Sequence, residues 1–291
     1  MQHDPMPVNF VATPYGRIAC REIGSGPVAV FLHGLPLSGR EWRDVMPALA
    51  HLRRCIAIDQ LGLGQIEPAE EADLSYAGQA DMLAACLDRL GVEQVDLVGN
   101  DTGGGIAQIF LARHGARLRS LTLTNCEVHD LWPNALLKGF YDGVADGSVL
   151  ALLHAMLGDV ALGQAHLGRL VYAEPTTLSA ETIAACIAPL VASSAREALF
   201  RRLCRWEESR RQLIDGAPAL RASRVPARIA WGLADVVFDA EPSLAWLAHN
   251  LGGLTEITRV PGGMLFFPEE QPRLLSEILA SFWASVAHER G

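Results

Sequence analysis

No run of about 18 or more apolar residues occurs in the chain, the length a membrane-crossing helix needs, so no spanning segment is expected. Residues 1–10 carry a histidine, an aspartate and two prolines before any apolar stretch, which does not read as a signal peptide. The six cysteines, at positions 20, 55, 86, 126, 186 and 204, show no CxxC or Cys/His ligand spacing. Most fall in apolar stretches, so reduced core thiols and a cytoplasmic location are expected, with no metal site. A basic cluster is also missing. Arg201, Arg202, Arg205, Arg210 and Arg211 come nearest to one, but Glu207 and Glu208 lie among them, as on a solvated helix face. With a net charge of −9, neither nucleic acid nor a membrane is an expected partner. Internal repeats and low-complexity segments are absent.

What is present is an ordinary, slightly apolar globular composition: 291 residues, 50% hydrophobic and 20% charged. That length favours one α/β domain with an insertion over two independent domains. Residues 8–13 and 17–22 flank Pro14-Tyr15-Gly16 and read as a hairpin. Residues 28–32 form a short continuous apolar run, as in a strand buried on both faces. A helix is expected over 42–51, a strand over 54–59, and a helix capped by Ser75 and stopped by Gly91. Strand 95–99, helix 103–114 and strand 120–124 follow, so the pattern predicts a mainly parallel, doubly wound sheet. From about residue 125 to 223 the alternation gives way to Ala- and Leu-rich helical stretches broken by Pro133, Pro175 and Pro189. Alternation resumes at 227–232, 241–250, 256–260 and 271–288. The expected division is a core in two parts, 1–124 and 224–291, with a helical cap at 125–223.

The run Val98-Gly99-Asn100-Asp101-Thr102-Gly103-Gly104 fits a nucleophile elbow, the sharp strand-to-helix turn with small residues on either side of the nucleophile. Registered on Asp101, Gly99 and Gly103 take the small positions; registered on Thr102, Asn100 would have to take one. A carboxylate at such a turn suits attack on carbon electrophiles such as epoxides or alkyl halides, through an ester on the enzyme.

In order along the chain stand His33-Gly34-Leu35-Pro36, Asp59-Gln60-Leu61-Gly62-Leu63-Gly64, the elbow, the helical stretch, and Trp231-Gly232-Leu233-Ala234-Asp235. Together they resemble the α/β-hydrolase fold over nearly the whole chain, and the first with Asp101 resembles epoxide hydrolases and haloalkane dehalogenases. The resemblance makes Asp101 the nucleophile and the backbone N–H groups of Leu35 and Thr102 the oxyanion hole. It gives His33 and Pro36 the bracing and direction of their loop. Asp235 matches the acid that orients a histidine, and Glu127 sits where some dehalogenases place that acid. Cap tyrosines protonate the opening epoxide in such hydrolases, which points to Tyr141 and Tyr172. Thr102 departs from the halide-holding tryptophan and the arginine found after other dehalogenase nucleophiles.

The catalytic histidine of these relatives lies in a proline-glycine-x-x-histidine segment after the last strand. Here the segment is Val260-Pro261-Gly262-Gly263-Met264-Leu265-Phe266-Phe267-Pro268 and holds no histidine. His129, with Glu127 and Asp130 beside it, is the candidate substitute; His154 and His166 read as ordinary helix residues. Three functions stay open: hydrolysis with a non-standard or missing base, a lyase, isomerase or cyclase reaction using Asp101 as acid or base in a dry pocket, and small-molecule binding. The expected pocket is lined by Leu35, Trp42, Thr102, Trp132, Met264, Leu265, Phe266 and Phe267, and suits a small or medium, largely apolar substrate. No cofactor is implied, and a homodimer is left open.

Overall fold

The computed structural model of the chain describes residues 6–290. Half of the N-terminal stretch read as lacking a signal peptide, residues 1–5, lies outside the described residues. Nine strands form one sheet: β1 (Val8–Thr13), β2 (Gly16–Ile23), β3 (Val28–Leu32), β4 (Arg54–Ile58), β5 (Glu67–Pro68), β6 (Val95–Asp101), β7 (Leu118–Cys126), β8 (Ala227–Gly232) and β9 (Leu254–Val260). Their spatial order is β1-β2-β4-β3-β6-β7-β8-β9, with the two-residue β5 pairing β2 off that path. The β1–β2, β2–β4 and β2–β5 pairs are antiparallel, and every pair from β4 to β9 is parallel. The α/β-hydrolase architecture read from the motif order is therefore the one observed.

Strands β3, β6 and β8 are buried along their whole length, as the continuous apolar runs require of strands covered on both faces. Chain order reverses at β3, which lies between β4 and β6, and the crevice beyond such a switch point is where open α/β sheets place their sites. Helix α1 (Tyr76–Arg89) starts at Ser75, whose side chain accepts the Gly78 N–H, and α2 (Thr102–His114) leaves the end of β6 directly.

The chain between β7 and β8 is helical. It contains α3 (Ala135–Asp146), α4 (Ser148–Gly158), α5 (Ala180–Val191), α6 (Ser194–Leu203) and α7 (Trp206–Ala222), with short turns between. Side-chain caps from Asn134, Ser179 and Ser193 fix three of the starts. Pro189 does not break its helix as the sequence suggested. It stands in the last turn of α5, where the lost N–H forfeits a single bond. Helices α8 (Ala240–Asn250) and α9 (Pro272–Arg290) complete the described chain. No single helix among the described residues is long and apolar enough to cross a membrane. All six cysteines are free and buried.

Two expectations near the first loop are corrected. The stretch 42–51 is not one helix but a 3-10 turn, Gly39–Trp42, and a single helical turn, Met46–Leu49. Pro47 has no N–H to continue a helix and instead begins one. Trp42 does not line the pocket. It is fully buried in the layer under α9, with its ring 5.3 Å from that of Phe31.

The elbow is held by contact between backbones. A Cβ on Gly103 would stand 2.3 Å from the Leu32 carbonyl oxygen and 2.7 Å from that of His33; one on Gly99 would stand 2.4 Å from the Gly103 oxygen. Since backbone cannot yield to a methyl group, Gly103→Ala should destabilise the protein by about 3 kcal/mol, the upper range for overpacking. Gly139→Ala, in the interior of α3 with nothing within 4 Å, should stabilise by roughly 0.5–1 kcal/mol. Urea denaturation of both variants checks the contrast; equal midpoints would remove the steric account of the elbow.

Candidate active site

Asp101 ends β6 and precedes the first residue of α2, with φ 51° and ψ −128°. This is a conformation that a non-glycine residue adopts only under constraint, and such strain concentrates at functional turns. Its Oδ2 accepts the Leu35 N–H at 2.8 Å. Thr102 opens α2, so its N–H belongs to the turn that has no partner inside the helix. The Leu35 loop is braced from beneath. The Gly34 N–H donates to Glu41 Oε2 at 2.8 Å, His33 Nε2 accepts the Gln60 N–H at 3.0 Å, and His33 Nδ1 meets the Gly34 carbonyl at 2.9 Å. Burial pushes the His33 pKa down, so the ring bridges the two loops as neutral imidazole.

Four carboxyl groups converge behind this loop. Register pairs Asp101 with Cys126 across β6 and β7, which sets the next residue, Glu127, beside the elbow. Glu127 Oε1 accepts the Tyr76 hydroxyl at 2.9 Å, and its carboxyl also hydrogen-bonds that of Asp101. Burial, first, and the Glu127 charge hold the Asp101 pKa well above the ordinary carboxylate range. Burial likewise raises Glu127 to about 7. Glu41 is raised well above its usual value by burial, and Asp235 to about 6 for the same reason. Two buried carboxyls in hydrogen-bond contact cannot both ionise cheaply, so Asp101 and Glu127 titrate as a pair.

The segment without a histidine fills its space with apolar groups. A single point, the Cβ that Gly34 lacks, is 2.8 Å from Asp101 Oδ2 and 2.8 Å from Phe266 Cε1, so the Phe266 ring edge and the carboxylate flank the same narrow gap at Gly34. Asp235 has no imidazole to orient. Its Oδ2 accepts the Asn125 side-chain amide at 2.7 Å and its Oδ1 the Val237 N–H at 2.8 Å. Asn125 in turn bonds both the N–H and the carbonyl of Gly232, tying the ends of β7 and β8 together.

A cavity of about 380 Å³ opens in front of Asp101. Leu35, Thr102, Tyr141 and Leu265 line it together with apolar side chains of α3 and α4 and the segment after them; Asp101, Thr102, Tyr141, His166 and Arg169 are its polar members. Other expected residues lie elsewhere. His129 hydrogen-bonds Asp130 at 2.8 Å and stacks on Trp246 at 4.7 Å, and it is not among the cavity-lining residues. Trp132 stacks on Tyr76 at 5.6 Å and lines a narrower cleft that Tyr76 and Tyr141 share. The Tyr172 hydroxyl is bonded to Glu269 instead of facing the cavity, and Glu127, Met264, Phe266 and Phe267, expected to line it, are not in its wall. His154 pairs with Glu197. Pattern reading missed Tyr76, Glu41, Gln60 and Asn125. Only Tyr76, next to the Ser75 cap, stood beside a readable signal. Among the described residues no cluster of three or more His, Cys, Asp or Glu side chains is placed to hold a metal ion.

The family model of the alpha/beta hydrolase fold matches residues 27–182. A soluble epoxide hydrolase of Corynebacterium sp. (strain C12) is 28% identical over 281 residues, covering 90% of this chain and 92% of that protein. A cis-3-alkyl-4-alkyloxetan-2-one decarboxylase of Shewanella oneidensis is 28% identical over 238 residues, covering 78% and 73%. The haloalkane dehalogenase DbeA of Bradyrhizobium elkani USDA94 superposes with a TM-score of 0.79 at 23% identity, covering 98% and 99%. Two relatives with higher identity align over only 110 and 97 residues, so the chain spans 39% and 31% of their lengths.

The raised pKa of Glu127 carries a stability prediction. A carboxyl whose folded pKa exceeds its unfolded value loses stability for the fold as pH rises from the unfolded value to the folded one, here from 4.5 to about 7. Glu127→Gln removes that burden and keeps an acceptor for Tyr76. Its gain in stability over the parent should therefore grow by about 2 kcal/mol between pH 5 and pH 8. Urea midpoints of both proteins at the two pH values test this, and a pH-independent difference would contradict it.

Proposed function

The chain belongs to the α/β-hydrolase fold family and is an enzyme of that fold, and from that premise we propose that it hydrolyses a strained or halogen-bearing, largely apolar small molecule with Asp101 as the attacking carboxylate. The observation that carries this reading is the carboxylate itself. It is strained at the elbow, given a donor by the Leu35 N–H, and set at the floor of an apolar cavity. With an epoxide, an Asp101 oxygen attacks a ring carbon and the C–O bond breaks with its electron pair left on oxygen. Tyr141, the one tyrosine in the cavity wall, is positioned to hydrogen-bond and protonate that oxygen. Water then adds to the ester carbonyl, whose developing charge faces the Leu35 N–H. The six buried thiols suit a reducing cytoplasm.

A second reading is favoured by Phe266, which puts an aromatic ring edge across the Gly34 gap from the carboxylate where relatives use a base on water. In it, Asp101 serves a non-hydrolytic cleavage in which water is kept out, and one relative is named for a decarboxylation of a four-membered lactone. Turnover of medium-chain terminal epoxides in ¹⁸O-water separates the two: hydrolysis places the label in the product or in Asp101. Under the hydrolytic reading Asp101→Asn abolishes product, and Tyr141→Phe lowers kcat/KM by about 10²-fold. Product formation that survives Asp101→Asn would end both readings.

A further inference from the structure

Resting on Asp101 as the attacking carboxylate, we infer that Glu127 is the acid–base residue of this site, sharing one proton with Asp101 at rest and taking the proton of water when the Asp101 ester is cleaved. Glu127 Oε1 is satisfied by the Tyr76 hydroxyl, whereas Oε2 is buried and finds no hydrogen-bond donor among the described residues. The β6–β7 register sets Glu127 beside the elbow, so the charged group nearest to it in the fold is the Asp101 carboxyl, another acceptor. Were both ionised, Oε2 would face a like charge with no hydrogen between them. One proton held in common satisfies both carboxyls and leaves the pair a single negative charge.

The surroundings are built around this contact. A Cβ on Gly105 would stand 2.5 Å from the Tyr76 ring and 3.1 Å from Glu127 Oε2, so glycine makes the room in which both side chains fit. Gln108 donates to the Glu127 carbonyl at 2.8 Å and fixes the backbone from the other side. The other titratable groups that act on Asp101 are Glu41 and Asp235, both carboxyls that burial also keeps from ionising readily; Tyr76, Tyr141 and Cys126, close to the pair, are held neutral. The largest charge effects on Asp101 come from other carboxyls, Glu127, Glu41 and Asp235, so a proton is what eases the pair.

The chemistry closes on itself. With the shared proton on Glu127, the Asp101 carboxylate attacks the ring carbon; Tyr141 gives its proton to the ring oxygen as the C–O bond breaks and takes the Glu127 proton in its place. Asp101 is now a neutral ester and Glu127 a carboxylate, its affinity for a proton no longer raised by a neighbouring charge. Water adds to the ester carbonyl while Glu127 takes one of its protons. The ester C–O bond then breaks with its electrons on the alcohol oxygen, which takes the proton of the new Asp101 carboxyl. Asp101 is again a carboxylate and Glu127 an acid, as at the start.

The test compares the parent, Glu127→Gln and Asp101→Asn, incubated with 1,2-epoxyhexane and 1-bromohexane and followed by intact mass and product formation. The parent should release diol or alcohol without a lasting adduct. Glu127→Gln should accumulate an ester that maps to Asp101, cleaved about 10²- to 10⁴-fold more slowly. That residual cleavage should rise about tenfold per pH unit as hydroxide replaces the base, while the parent levels off above neutral pH. Purely structural loss would also lower adduct formation from the bromide, a step that needs no proton from Glu127, and show no such slope. A lasting ester in the parent, or parent-like release by Glu127→Gln, overturns the role of Glu127 and leaves Asp101 as nucleophile standing. Neither adduct nor product in any of the three overturns the reading of Asp101 and this inference with it.

Discussion

The arrangement depends on a carboxylate held out of water where two adjacent parallel strands end. Leu32 pairs with Gly99 across β3 and β6, so the loop after one strand and the elbow after the other must share the same small volume. Backbone leaves no room for a Cβ at Gly99 or Gly103, the Asp101 and Phe266 side chains leave none at Gly34, and the loop reaches Asp101 with the Leu35 N–H. A donor and a carboxylate thus set the spacing of the two loops. The bracing by His33, Gln60 and Glu41 exists to keep that donor aimed. An amide hydrogen bond to a charged acceptor is stronger than one between neutral groups, but it does not replace the hydration a buried carboxylate has lost. The same shortfall raises the pKa of the acids around Asp101, Glu41 and Glu127 most and Asp235 to about 6.

Much of this was legible in the sequence, and the line between what was and was not is physical. Strands Val28–Leu32 and Ala227–Gly232 have the limits that pattern alone gives them, because a strand buried on both faces is a largely apolar run between turn residues; Val8–Thr13, mostly exposed at the sheet edge, is bounded by its hairpin turn. The elbow was legible because steric exclusion leaves glycine no alternative there. Glu127 was visible as an acid in the right region, but its contact with Asp101 depends on the register shift between Gly99 and Asp101 that brings Cys126 level with the elbow, and no local pattern encodes a register. Tyr76 reaches Glu127 from a helix whose sequence announces only its cap. Trp42 was misplaced because an aromatic after the first loop can face either side of the sheet, and the apolar face of α9 is the larger surface to cover.

With no histidine in residues 260–270, the bonds of Asp235 go to other groups. Asp235 stands where a triad acid would, yet its bonds go to Asn125 and to its own loop, groups that neither take up nor pass on a proton. Its ionisation is disfavoured by burial and contributes to no imidazolium. The Asn125 bonds to Gly232 on both backbone faces make the pair a clasp between strand ends. An acid that orients a base in one arrangement becomes, with the base gone, a brace.

The segment that lacks the histidine is reassigned in the same way, and it explains why Tyr172 is not the second tyrosine of the site. Phe266 donates its N–H to the Val171 carbonyl at 3.0 Å, while Glu270 accepts the N–H groups of Ala173 and Glu174 at 3.0 Å each. Glu269 takes both the Tyr172 hydroxyl and the Arg43 guanidinium. These bonds fasten residues 266–270 to the helical chain between β7 and β8, so the stretch anchors the cavity roof and sets the Phe266 ring edge across the Gly34 gap from the carboxylate. A flexible imidazole in that place would need room to meet water; a ring locked by backbone bonds on one side and Gly34 on the other leaves none. The proposed proton transfer runs instead through Glu127, just past the end of β7, whose Oε2 is buried and unanswered among the described residues.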